Sequence, residues 1–240
     1  MVVAISVGAC YDLRLSYPEA IKFIQKYPVN GIELLFAAPK DLMDFKFEKE
    51  NLDYIKSLKF KSIHMPVRGA TYDDSLVTKE VIDKASFIAN QINADYLVFH
   101  PNTIKDYSVL NWNLKNCIEN LNSNEYNKGF QTAKEIKKIL KEHPKLGFVL
   151  DTCHMFESKV NPQEFLDLKE KINGIHLAVQ WKQGERIRTH GFLQENLEQL
   201  DQIKPLLKIN VPKVIESDFY PEKVSMIKKE IELIRFFESK

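Results

Sequence analysis

The feature that most constrains this chain is a repeated pattern: a short apolar, β-branched run, a polar turn, then an amphipathic stretch, renewed along its 240 residues. Residue periods near 2 and near 3.6 take turns, so strands and helices must alternate. Strands joined through helices run parallel with right-handed crossovers, and such a sheet is covered on both faces. The runs at 3–8, 31–36, 61–64, 96–100, 147–151, 174–177 and 213–216 read as strands. Helices are predicted to open at Ser16 and to cover about 48–58, 78–92, 131–141, 162–170, 196–207 and 221–237. In Ser16-Tyr17-Pro18-Glu19 the serine can cap and the glutamate can reach back, the spacing of a capping box.

One unit is ambiguous. Residues 116–120 can form a short strand, but Val109, Trp112, Cys117, Ile118 and Leu121 could equally be the stripe of one longer helix. The count decides it, because a strand there makes eight β/α units, and a closed barrel has no exposed edge. The expected fold is α/β: a single (β/α)8 TIM barrel over residues 1–240, a usual size for that architecture. No Pro/Gly-rich linker or low-complexity tract divides the chain.

Composition removes several functional classes. With 34 basic and 33 acidic residues the net charge is +1, which excludes the strongly basic signature of a non-specific nucleic-acid binder. No apolar run approaches the ~18 residues of a membrane span. The start, Met1-Val2-Val3-Ala4-Ile5-Ser6, lacks a basic leader and reads as a first strand, not a signal peptide. Cys10, Cys117 and Cys153 lie far apart without a C-x-x-C pair, which fits a reducing cytoplasm.

The chemistry collects at the C-terminal ends of the strands, which form the catalytic face of such a barrel. His64, His100, Glu119, Asp151, His176 and Glu216 end six consecutive strands; His154 follows Asp151 by three residues, and His190 lies in the loop after the seventh strand. A lone polar residue at a strand end usually serves its loop. Six in a row, all His, Asp or Glu, do not reduce to that. The sixth histidine, His143, sits at a helix end where a cation suits the dipole, and is read as structural. Imidazole nitrogen combined with carboxylate oxygen suits zinc, manganese or iron better than calcium or magnesium. Eight ligands exceed what one catalytic ion takes. A carboxylate such as Glu119 can bridge two ions about 3.5–4 Å apart, and a coordinated water would have its pKa lowered toward ~7.

Leu150-Asp151-Thr152-Cys153-His154 resembles the Asp-Thr-Cys-His signature of the endonuclease IV family, within the xylose isomerase-like barrels. Phe99-His100-Pro101, Ile118-Glu119-Asn120, Gly174-Ile175-His176-Leu177 and Ile215-Glu216 resemble that family's other strand ends, in order along nearly the whole chain. The resemblance implies two or three zinc ions (manganese or iron as alternatives) cleaving DNA at abasic sites. It implies that His64, His100 and Glu119 hold one ion, that Glu119, Asp151, His176 and Glu216 hold a second, and that His154 and His190 hold a third. Cys153 would then pack beside the ligands.

Three departures bear on the substrate. Where the family has an aspartate before its last histidine, this chain has Arg188, so the third ion is weak, absent or held otherwise; Arg188 could instead grip a phosphate or carboxylate, as could Arg68. The segment Ala37-Ala38-Pro39-Lys40 lacks the polar and arginine residues that the family pushes into the DNA stack, and Met65-Pro66-Val67-Arg68 lacks its tyrosine. The stretch between His100 and Glu119 is short. Arg68, Tyr72, Trp181, Lys182 and Arg186 could line the mouth.

Two enzymatic readings stand. In the first, a metal-dependent phosphodiesterase acts on DNA or a related phosphodiester. In the second, Glu119, Asp151, His176 and Glu216 form the one-metal set of a sugar isomerase or epimerase, with Glu119 and Glu216 moving protons, and Glu33 in Gly-Ile-Glu-Leu resembles that branch. His64, His100 and His190 are surplus to a one-metal isomerase, which favours the phosphodiesterase. A non-catalytic metal-binding barrel ranks last.

Overall fold

Ten strands occur among the described residues, 2–124 and 127–238, of the computed structural model. In chain order they are β1 (Val3–Ser6), β2 (Gly31–Leu35), β3 (Phe60–His64), β4 (Tyr96–Phe99), β5 (Asn116–Glu119), β6 (Gly147–Asp151), β7 (Ile172–Leu177), β8 (Val179–Gln183), β9 (Arg186–Gly191) and β10 (Lys213–Ile215). Eight of them close into a parallel barrel in the order β1-β10-β7-β6-β5-β4-β3-β2, while β8 and β9 form a separate antiparallel hairpin. The fold is a TIM barrel.

The helices are α1 (Tyr17–Ile24), α2 (Pro39–Asp44), α3 (Lys49–Ser57), α4 (Leu76–Ile92), α5 (Ala133–Glu142), α6 (Thr152–Glu157), α7 (Gln163–Leu166), α8 (Leu197–Leu207) and α9 (Met226–Glu238). Local chemistry starts several of them. The Glu19 carboxylate accepts from the Ser16 backbone N–H at 2.9 Å, and Ser75 and Thr132 side chains accept from Thr78 and Glu135 N–H groups at 3.2 and 3.3 Å. Buried Ile136, Ile139 and Leu140 on α5 show the spacing that turns one helix face to the sheet.

The ambiguous segment 116–120 holds β5, paired to β4 and β6. Its helical alternative fails because Cys117 and Glu119 must face the barrel interior, a period of two that a helix cannot supply. The crossover before it differs from the expected β/α repeat: residues 100–115 contain no α-helix, only 3₁₀ turns at Pro101–Thr103 and Tyr107–Val109 and an isolated bridge from Ile104 to Tyr72. The helix expected at 162–170 is one short turn, α7, followed by a 3₁₀ turn at Lys169–Lys171. The loop expected after the seventh strand is the β8–β9 hairpin, and α6 begins at once after β6.

Inside the barrel the side chains stand in tiers. Ala4, Phe60, Tyr96, Val98, Cys117, Val149 and Val214 form an apolar floor separate from the larger core between sheet and helices. Gly174 leaves room for the Tyr96 hydroxyl, which a Cβ at that position would strike. Two residues further along the strands from this floor come Ser6, Ser62, His100, Glu119, Asp151 and Glu216. Strand geometry makes those pairs share a face, so an apolar plug carries a polar ring above it.

Candidate metal centre

Glu119 lies at the middle of the polar ring. Its Oε2 is 3.2 Å from His64 Nε2 and 3.0 Å from His100 Nε2, and its Oε1 is 2.7 Å from His176 Nδ1. His176 Nδ1 also lies 3.2 Å from Glu216 Oε2. Three sets of donor atoms each converge to within 4.8 Å: His64, His100 and Glu119; Glu119, Asp151, His176 and Glu216; and Asp151, His154 and His190. The eight side chains singled out at the strand ends therefore share one mouth.

Asp151 and His154 come together because α6 starts where β6 stops. One Asp151 oxygen caps the helix, accepting from the His154 N–H at 2.6 Å, and three residues of helix return the imidazole to the same side. The other, Oδ2, accepts no hydrogen bond and lies 3.8 Å from His154 Nδ1. His190 reaches the mouth through a left-handed backbone, φ +53°, a conformation costing a non-glycine residue about 1–2 kcal/mol. It is held by its N–H to Cys153 Sγ at 3.3 Å and by its carbonyl, which accepts from Asp218 N–H at 2.7 Å. Cys153 is thus a buried packing and hydrogen-bonding residue.

Several rings are oriented from behind. His64 Nδ1 faces the Met65 carbonyl at 3.1 Å and His154 Nδ1 faces the Asn120 carbonyl at 3.0 Å. A carbonyl only accepts, so each Nδ1 carries a proton, and Nε2 is the nitrogen left to face the mouth, where a cation could take the place of its proton. His176 is reversed: Nε2 faces Glu33 Oε2 at 3.2 Å, and Nδ1 turns to Glu119 and Glu216. Glu33, fully buried and also accepting from Ser62 Oγ at 2.8 Å, belongs behind His176.

The donor set fits divalent cations. Glu33 Oε1, Asp151 Oδ2 and Glu216 Oε1 are buried without a hydrogen-bond partner. Unpaired buried carboxylate oxygen costs several kcal/mol, which cations at the mouth would offset. The protonation equilibria of the metal-free ring express the same crowding. At Glu119, burial disfavours the charge, but His176 and its other imidazole partners outweigh it and hold the carboxyl well below its ordinary range. At His64 burial is likewise overcome by the bond to Glu119, which lifts the imidazole to about 9. His176 is raised well above its ordinary value by Glu216, Glu33 and Glu119 against the effect of burial. For Glu216 burial wins over His176 and pushes it up to about 7. Burial lowers His100 and His190, whereas the Asp151 charge overcomes burial at His154 and raises it.

Beside the ring opens a cavity of about 450 Å³, bordered by Ser6, Asp12, Arg68, His190, Glu216 and Asp218. Arg68 stands exposed at its rim. Arg188 does not enter the ligand cluster: it lies exposed on β9, with Nε donating to Gln183 Oε1 at 3.0 Å. Tyr72 is no mouth residue. It is 1% exposed and its hydroxyl donates to the Pro66 carbonyl at 2.9 Å. Trp181, Lys182 and Arg186 belong to the hairpin, where Lys223 Nζ stands 3.1 Å from the Trp181 ring centre. His143 is apart from the ring, stacked on Tyr107 with centroids 3.9 Å apart. Ser6, Asn120 and Asp218 received no role from the sequence; the period of two pointed to Ser6, Asn120 stood only as the last residue of the Ile118-Glu119-Asn120 strand end, and nothing local marked Asp218.

A parallel barrel with carboxylates and imidazoles crowded at the C-terminal mouth defines a class of enzyme scaffold. The model of the xylose isomerase-like TIM barrel family matches residues 111–235, and the chain belongs to that family. No curated protein sequence matches it significantly. Among solved structures it is similar to the probable 3-DHS dehydratase AsbF involved in petrobactin synthesis from Bacillus anthracis, at 13% identity and TM-score 0.71, covering 98% of this chain and 99% of that one. Endonuclease IV from Thermus thermophilus aligns at 14% identity and TM-score 0.70, covering 100% and 99%. D-psicose 3-epimerase aligns at 13% identity and TM-score 0.65 over 100% of both chains. At such identities the likeness speaks for the fold. No helix among the described residues is long and apolar enough to cross a membrane.

Proposed function

We propose that this chain is a metal-dependent phosphodiester hydrolase of the endonuclease IV kind, using two or three zinc ions. The observation that carries the reading is the surplus of ligands. Beyond the four side chains that suffice for one ion, His64, His100, His154 and His190 point into the same mouth, and Glu119 and Asp151 are shared between the three donor sets. Divalent cations held there would supply charge for a phosphoryl oxygen and lower the pKa of a water enough for attack near neutral pH.

The chain's own residues do the rest. Glu119 neutralises and spaces the imidazoles on both sides of it. Glu33 orients His176, and the Met65 and Asn120 carbonyls turn His64 and His154 outward by their Nε2 atoms. Arg68 at the rim can hold a phosphate oxygen. Glu216, drawn up to about 7 by burial, can exchange a proton near neutral pH in the metal-free mouth.

The test combines metal analysis of the purified protein with an assay on duplex DNA carrying one abasic site and on a bis-aryl phosphodiester. Two or more zinc ions and cleavage of either substrate are expected. A single ion with no cleavage of either overturns the reading. A second reading, sugar isomerisation or epimerisation, draws on one specific feature: the cavity beside Glu216 has the volume of a small-molecule site. One manganese with turnover of a ketose is its expected signature.

A further inference from the structure

Asn120 is fully buried, immediately after Glu119 at the point where β5 ends, and no part of its side chain points to a ligand atom. Its amide instead closes two hydrogen bonds with the backbone of Asp151. Asn120 Nδ2 donates to the Asp151 carbonyl at 2.9 Å, and the Asp151 N–H donates to Asn120 Oδ1 at 2.8 Å. The β5–β6 ladder runs through Cys117–Gly147, Ile118–Phe148 and Glu119–Val149. The side-chain amide therefore continues that ladder by one step after the main chain has turned away. Turning away frees the Asn120 carbonyl, which faces His154 Nδ1 at 3.0 Å.

We infer that Asn120 is the positioning residue that couples the donor sets of the mouth. Glu119, its sequence neighbour, belongs to two of the three sets, Asp151 to two, and His154 to one. Asn120 thus acts on each set: by chain continuity on Glu119, by its side chain on Asp151, by its main chain on His154. The set of His64, His100 and Glu119 has its other members on β3 and after β4, and the hydrogen bonds of the amide go to the Asp151 backbone instead. Losing the amide should therefore weaken the Asp151-containing sets selectively. Outer partners of metal ligands contribute about ten- to a hundredfold in affinity, and an amide that fixes a ligand's backbone belongs to that scale. Asn120→Asp is the sharpest change, because it keeps size and the acceptor while placing a carboxylate oxygen against the Asp151 carbonyl. Threading two acceptors together there removes the donor and adds repulsion.

The inference rests on the reading of the mouth as a metal centre, but not on the reaction it runs. The experiment is titration of metal-free wild type and N120D with cobalt(II), following the visible absorption and the number of ions bound, with far-UV circular dichroism and melting as controls of the fold. Expected is retention of binding at the His64–His100–Glu119 set and about a ten- to hundredfold loss at the sites that include Asp151. Equal stoichiometry and affinity in N120D and wild type overturn the inference while leaving the metal centre intact; a wild type that takes up no cobalt overturns both. Should N120D fail to fold, amide hydrogen exchange of the metal-free wild type decides: slow exchange of the Asp151 N–H supports the clamp, and exchange at the rate of an open loop overturns it.

Discussion

The floor and the mouth of this barrel are built from the same strands, two to four residues apart, and obey opposite rules. At the floor, Phe60, Tyr96, Val98, Cys117, Val149 and Val214 fill space with apolar volume. At the mouth, equally buried positions hold Glu33, His64, Glu119, Asp151 and His176. Burial stabilises the first tier through the hydrophobic effect and penalises the second through desolvation. The mouth survives because its charges neutralise one another, though three of its carboxylate oxygens accept no hydrogen bond. A tier that keeps unpaired acceptors in a buried interior gives up stability that a bound cation would restore, whereas the floor holds the strands at the spacing the mouth requires.

That contrast can be broken most severely at Glu119. Glu119→Gln removes the charge shared by His64, His100 and His176. Phosphodiesterase turnover should fall by about a thousandfold or more, the scale of losing a group at the reacting centre, and metal analysis should show fewer bound ions; ordinary turnover would remove Glu119 from the site. At the floor, Phe60→Ala should cost about 3–5 kcal/mol in denaturant unfolding, yet leave ion stoichiometry unchanged below its melting range. A loss of ions without a loss of stability would reverse the roles assigned to the two tiers.

A smaller effect comes from protons. In the metal-free protein burial opposes protonation of His64, but Glu119 prevails and lifts it to about 9, against about 6.5 in an unfolded chain. The folded state therefore holds this proton more tightly. Its stabilisation is complete below about pH 6.5 and is lost as pH rises through about 9. Melting temperature after chelation should fall across that window, and zinc saturation should flatten or reverse the slope, since cations displace the same protons. An identical slope with and without zinc would place the metal elsewhere. The mildest change is at the rim, where Arg68→Ala should raise KM about three- to tenfold with kcat little altered, in line with an exposed charge contact of ~1 kcal/mol; a fall in kcat alone would move Arg68 from binding to chemistry.

The barrel was legible in the amino-acid pattern because strand and helix periodicity are properties of near neighbours, and parallel closure follows from their alternation. The candidate ligands were legible for the same reason: His64, His100, Glu119, Asp151, His176 and Glu216 end runs that the period of two marks unaided. Only the three-dimensional structure decided how these ends are held. It turned the ambiguous 116–120 segment into β5, left the β4–β5 crossover to 3₁₀ turns, and built a hairpin that carries His190 inward on a left-handed residue. It also joined Glu33 to His176 across 143 positions and folded the Asn120 amide onto Asp151. Such pairings depend on which strands become neighbours when the sheet closes and on where each chain leaves the ladder, and neither quantity is written in any local stretch of sequence.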